Sequence, residues 1–225
     1  MKLYKEKILV IGDTHLPFEK KGYLEFCKEI QTRCKCGTVV HIGDICDNHA
    51  ISYYEHHPDG YSPANEMKEC EKRLKKWFKA FPDVMICKGN HDMMPSRKGR
   101  TAGLPTKVFK PFRDIWDLPK GWVDDFGFTI DNVRYEHGSG SGKMCHLNTA
   151  LTNRKSTVIG HLHANFGVMY DANEEDCIWG MAVGCGIDRH TYAFNYGADF
   201  KRKPILGVGV VTDKGRFAQT FPMEL

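Results

Sequence analysis

Aspartate, asparagine or histidine, singly or together, stands at five places in this chain, each behind an apolar run. These places are Gly12-Asp13-Thr14-His15, Gly43-Asp44-Ile45-Cys46-Asp47, Gly89-Asn90-His91-Asp92, His137-Gly138 and Gly160-His161-Leu162-His163. Carboxylate oxygens and imidazole nitrogens make a mixed donor set that suits zinc, manganese, iron and related divalent metals. An asparagine amide adds a neutral oxygen, and imidazole exchanges a proton near neutral pH. Taken singly, Asp13-x-His15, Gly43-Asp44 and His137 read better as loop, turn or core residues, and Gly160-His161-Leu162-His163 reads equally well either way. Their repetition in one form, strand then tight turn then donor, points to a shared metal-dependent site. Glycine at the turns permits a sharp bend and a close ligand. His161 and His163, two residues apart, would project to the same side of an extended chain.

A sheet must gather these places, because ligands of α/β sheets collect at the carboxyl ends of strands. Lys7 to Asp13 and Thr38 to Asp44 read as buried strands, with Tyr23, Phe26, Cys27, Ile30 and Cys34 at helical spacing between them. That order predicts a βαβ unit with parallel pairing. Ser62 and Pro63 then open a longer helix, with Glu66 and Glu69 near its positive end. Met67, Cys70, Leu74, Trp77, Phe78 and Phe81 form its expected inward stripe, and Pro82 stops it. Asp83 to Cys87 is the strand that delivers Gly89 to Asp92. From Met93 to Arg113 the pattern loosens, with Pro95, Gly99, Gly103, Pro105 and Pro111 breaking any long helix. Phe128 to Ile130 and Val133 to Glu136 flank Asp131-Asn132 as a hairpin. A helix from Lys143 to Thr152, a strand from Ser156 to Ile159 and a strand-rich remainder complete a two-layered α/β reading. Residues 1–225 are expected to form one domain, with about residues 93–122 a basic, loop-rich insertion beside the site.

The ordered set D-x-H, G-D-x-x-D, G-N-H-D, H-G and G-H-x-H resembles the calcineurin-like metallophosphoesterase superfamily over residues 13 to 163. The overall look is similar to small stand-alone members found in bacteria and their phages. The resemblance implies a four-layer α/β/β/α sandwich with a two-metal centre at one rim of the sheets. It implies that Asp13, His15 and His163 hold one metal, that Asn90, His137 and His161 hold the other, and that Asp44 bridges them. It gives His91 the place of the non-ligand acid, with Asp92 to orient its ring. The implied cofactor is a pair of divalent metal ions, manganese foremost, with iron, zinc, nickel and cobalt also compatible. Two cations roughly 3.5–4 Å apart generate a bound hydroxide and clamp the attacking and leaving oxygens of an in-line displacement. A histidine beside them can protonate an alkoxide leaving group.

Departures from related patterns narrow the substrate. Serine/threonine protein phosphatases of the superfamily usually read G-D-x-V-D-R-G and G-N-H-E, whereas here Asn48 follows Asp47 and Asp92 replaces the glutamate. The arginine that would grip a phosphomonoester dianion is missing from that motif. Asp47 also stands where purple acid phosphatases carry a tyrosine ligand, and it reads as a support residue ahead of a direct ligand. The expectation is therefore a dinuclear metal-dependent phosphoesterase that favours phosphodiesters, with a nuclease among the candidates. The alternatives are a phosphomonoesterase and, behind it, a non-catalytic interaction scaffold.

Arg97, Lys98, Arg100, Lys107, Lys110 and Arg113 stand between Met93 and Arg113 with no acidic residue among them. They either guide a polyanion such as DNA or RNA or form a solvated loop. Tyr53, Tyr54, His56 and His57 either line the cleft and stack bases or cap the domain. The net charge of +4 permits a phosphate-bearing partner without requiring nucleic acid. No apolar run is long enough to span a membrane, and the N-terminus lacks the apolar core of a leader, so a cytoplasmic location is expected. Nine scattered cysteines suggest reduced thiols; Cys34-Lys35-Cys36 lacks the usual zinc spacing.

Overall fold

The computed structural model describes residues 7–54, 56–197 and 201–224. The expectation about a leader falls on the first six residues, outside that range. Strand β1 (Lys7–Ile11) is buried from Ile8 onward. Helix α1 (Tyr23–Cys34) turns its Tyr23, Cys27 and Ile30 inward and returns the chain to β2 (Cys36–His41), parallel to β1. Helix α2 (Pro63–Ala80) starts where Ser62 accepts the Asn65 N–H at 3.4 Å. Its inward residues are Glu66, Cys70, Leu74 and Trp77. Met67, expected in that stripe, is 38% exposed.

Strand β3 (Val84–Cys87) pairs parallel with β2. The next stretch is more ordered than the sequence suggested. It holds α3 (Met94–Thr101), a 3-10 turn at Thr106–Val108 and α4 (Phe112–Ile115). Pro95 lies in the first turn of α3, where a missing N–H costs nothing, and so starts a helix of 8 residues rather than a long one. The chain continues through β4 (Trp122–Asp125), β5 (Gly127–Ile130) and β6 (Val133–Glu136). Asp131 and Asn132 link β5 to β6 at φ 50° and 62°, the left-handed pair that a tight hairpin needs. Helix α5 (Cys145–Asn153) leads to β7 (Thr157–Ile159), followed by β8 (Phe166–Ala172), β9 (Cys177–Val183), β10 (Gly207–Thr212) and β11 (Phe217–Pro222).

The strands form two sheets, ordered β11-β10-β1-β2-β3-β4 and β5-β6-β7-β9-β8. Side chains alternate along β1 and β2. Ile8, Val10, Val40 and Ile42 pack with Tyr135, Val158 and Met181 of the second sheet, while Leu9, Ile11 and Val39 pack with Cys27, Leu74 and Trp77 of α1 and α2. Helix α5 packs on β7 and β9. The result is the expected four-layer α/β/β/α sandwich. Strands β1, β2 and β3 run parallel, as do β6 and β7, so the carboxyl ends in each set face one way. The five donor-bearing turns follow those five ends.

Candidate metal centre

The turns place their donors by unusual backbone. Among the ligand candidates His15, Asp44 and His161 adopt φ of 51°, 49° and 64°. Such left-handed residues cost about 1–3 kcal/mol each and persist where the surroundings dictate them. A Cβ on Gly89 would overlap the Asp44 carboxylate, and one on Gly160 would overlap that of Asp13. Glycine at these two turns is what lets carboxylates lie against the backbone.

Among the described residues three donor groups result, one of them His15, Asp47 and His91, and the other two are the candidate metal clusters. In the first, His15 Nε2 and His163 Nε2 are 3.0 Å apart, and His163 Nε2 is 3.3 Å from Asp13 Oδ2. In the second, His137 Nε2 lies 3.1 Å from Asp44 Oδ2, 3.0 Å from Asn90 Oδ1 and 3.2 Å from His161 Nδ1. The far ring nitrogens explain which atoms face inward. His15 Nδ1 donates to Asp47 Oδ1 at 2.7 Å and His137 Nδ1 donates to the Ile42 carbonyl at 3.1 Å, leaving each Nε2 with a lone pair. Asp13 is fully buried, yet its Oδ1 has no hydrogen-bond partner among the described residues. Lone pairs converging on lone pairs, with an orphaned buried carboxylate oxygen, fit divalent cations. Burial pulls His137 down, yet the Asp44 and Asp13 charges carry it up to about 9, and a field that draws a proton also draws a metal. Burial opposes ionisation of Asp44, but the surrounding imidazoles hold its carboxyl below the usual range.

Two expectations need correction. His161 and His163 do not share a side of an extended strand. The left-handed turn at His161 sends the two rings to different clusters, the division that the family resemblance implies. Asp92 does not orient His91. Its buried carboxylate accepts four backbone N–H groups, from Asp44 (2.7 Å), Gly89 (2.9 Å), Ile45 (3.0 Å) and Cys46 (3.3 Å). It ties the Asp44 turn to the Gly89 turn. Burial and the Asp44 charge push Asp92 up to about 6 in spite of those donors.

Asp47 takes the orienting role. Its carbonyl lies 2.6 Å and its Oδ1 3.1 Å from His91 Nδ1, while the same Oδ1 holds His15. With Nδ1 donating to Asp47, His91 has Nε2 left for the cleft that it lines. The His91 N–H donates to Asp44 Oδ1 at 2.7 Å. Burial works against the His91 charge, but the Asp44 charge and the Asp47 hydrogen bond outweigh it and raise the ring to about 10.

The centre lies in a cleft of about 600 Å³ that also includes Tyr53, Tyr54, Arg97, Phe194 and Arg202. Of the basic residues between Met93 and Arg113, only Arg97 lines this cleft; Arg113 pairs with Asp124 at 3.4 Å. Arg202 carried no signal in the sequence, being remote from every motif. His56 and His57 fall outside the cleft, with His57 stacked on Tyr192 at 5.7 Å. The nine cysteines are all free thiols. No helix among the described residues is long and apolar enough to cross a membrane.

Glu66 also supports the site. Its two oxygens accept the N–H groups of His49 and Ala50 at 2.7 Å each, fixing the turn between Asp47 and Tyr53. Glu66→Ala strands both donors, so thermal or urea unfolding should show a loss of about 1–3 kcal/mol. An unchanged midpoint would remove this role.

The model of the calcineurin-like phosphoesterase family matches residues 6–188. No curated protein sequence matches the chain. Among solved structures, a metallophosphoesterase from Sphaerobacter thermophilus is 14% identical, with 97% of this chain and 88% of that one covered and a TM-score of 0.50. Vacuolar protein sorting 29 from Cryptosporidium parvum is 13% identical over 98% and 91%, also at 0.50. A novel archaeal phosphodiesterase is 16% identical over 96% and 99%, at 0.49. At these identities the likeness is one of fold. The family match, over most of the chain and all five donor-bearing turns, carries the assignment: the protein belongs to the calcineurin-like phosphoesterase family.

Proposed function

We propose that this phosphoesterase hydrolyses phosphodiesters at the two facing donor clusters. The observation that carries the reading is that His91 touches both clusters, its N–H donating to Asp44 of the second at 2.7 Å and its ring 4.8 Å from that of His15 in the first. Asp13, His15 and His163 would hold one divalent cation, and Asn90, His137 and His161 the other, with Asp44 between. Bound there, the cations would neutralise the phosphate and activate the attacking water. His91 would donate its Nε2 proton to the departing oxygen, held in line by Asp47 through Nδ1. Asn48, which replaces the motif arginine, turns its Nδ2 to the His91 carbonyl at 2.9 Å and offers no guanidinium to a dianion. That favours a diester over a monoester. Manganese suits the mixed nitrogen and oxygen donors.

The test compares bis-p-nitrophenyl phosphate with p-nitrophenyl phosphate in manganese. A diester preference of at least about tenfold in kcat/KM is expected, an advantage of about 1.4 kcal/mol. Preference for the monoester overturns the diester reading. Failure to take up two metal equivalents, with neither ester cut, would favour the scaffold alternative.

A further inference from the structure

One arginine is tethered beside each donor cluster. Arg97 Nη1 donates to the carbonyl of Asn90, in the second cluster, at 3.4 Å. Arg202 Nη2 donates to the carbonyl of Ala164, next to His163 of the first cluster, at 2.5 Å and to Asn165 Oδ1 at 3.0 Å. Both line the cleft, and among the described residues neither has a carboxylate partner. A guanidinium carries five N–H donors, so each tether leaves part of the fork for an anion. Tyr53 fixes the Arg97 side of the mouth. Its ring lies 5.5 Å from the Arg97 guanidinium and 3.9 Å from Lys98 Nζ, and its hydroxyl is 3.2 Å from Thr101 Oγ1. The metals would neutralise the phosphate being cut, which leaves these two guanidiniums available to other phosphates.

We infer that Arg97 and Arg202 grip the phosphates flanking the scissile one, so that the substrate is a single strand of nucleic acid cut internally. The inference rests on the phosphodiesterase reading above. The reacting groups are recessed, with His91 and His163 side chains only 13% and 11% exposed. An unpaired strand bends to bring one phosphate to that depth, whereas a duplex holds its phosphates on a stiff cylinder. Tyr53, 52% exposed at the mouth, adds an aromatic surface of the kind that accompanies such strands.

The experiment measures wild type, Arg97→Ala and Arg202→Ala on a single-stranded oligonucleotide, its duplex and bis-p-nitrophenyl phosphate, in manganese at several salt concentrations. Each variant should lose about tenfold in kcat/KM on the single strand, the worth of a charged hydrogen bond. That loss should exceed the loss on the small diester by at least about fivefold. The log–log salt slope should fall by about 0.7 for each arginine removed. Arg97→Lys and Arg202→Lys should recover the slope, which separates lost charge from lost folding. Equal losses on strand and small diester, no loss on the strand, or a duplex cut as fast as the strand would overturn the inference and leave the diester reading intact. A wild type that cuts no diester overturns the reading itself.

Discussion

His91→Ala should take up both metal equivalents and turn over an alkyl phosphodiester about 10²- to 10⁴-fold more slowly, the range set by removal of a general acid. The ring supplies no atom to either donor cluster as proposed, so calorimetric metal binding should hold. The loss should depend on the leaving group. An alkoxide must be protonated as it departs, whereas p-nitrophenolate leaves without help, so the same variant should be far less impaired on bis-p-nitrophenyl phosphate. Equal losses on both esters would reassign His91 to phosphate binding, and normal turnover of the alkyl ester would end its role as acid. The geometry makes the leaving-group contrast the sharper readout. Asp47 holds His91 Nδ1 through its carbonyl at 2.6 Å and grips His15 with its carboxylate at 2.7 Å. One residue thus orients both the proton donor and a candidate ligand, so Asp47 variants will mix the two effects while His91→Ala isolates one.

The five motifs were legible because each is local: an apolar strand, a glycine and a donor lie within a few residues of sequence. The hairpin at Asp131-Asn132 was legible for the same reason, since aspartate and asparagine tolerate the left-handed backbone that the turn needs. What stayed hidden depends on contacts between distant residues. Gly99 read as a helix breaker, yet it lies inside α3 because the Phe109 ring rests where a side chain would be. Glu66 and Met67 sit one residue apart, about 100° around a helix, and the stripe through Cys70, Leu74 and Trp77 ends at Glu66 with Met67 left 38% exposed. Glu66 is the buried one because the His49 and Ala50 N–H groups need its carboxylate. Arg202 enters the site only because the chain after β9 returns to Ala164 and Asn165. Asp47 and Asp92 show the limit most directly. Both are acidic residues near His91 in the motifs, and spacing favoured the immediate neighbour. The side chain of Asp92 instead turns back into the fold, which only the path of the Asp44 turn determines.

Asp92→Ala should therefore behave oppositely to His91→Ala, one residue away. It removes a carboxylate only 2% exposed and strands the N–H groups of Asp44, Ile45, Cys46 and Gly89. An unsatisfied buried donor costs about 1–3 kcal/mol, so even with partial relaxation the urea midpoint should report a loss of at least about 3 kcal/mol. Metal binding should weaken as well, by about 10- to 100-fold, because Asp44 keeps its left-handed φ of 49° while those N–H groups are tied down. Asp92→Asn sharpens the test. An amide retains one acceptor oxygen, but its NH₂ must face two of the four donors, so the isosteric variant should lose a large part of the same stability. If Asp92 acted through the His91 ring, Asp92→Asn would leave stability alone and lower turnover by nearly as much as His91→Ala. The anchoring role places the damage in folding and metal retention, with the leaving-group dependence of the remaining activity unchanged from wild type.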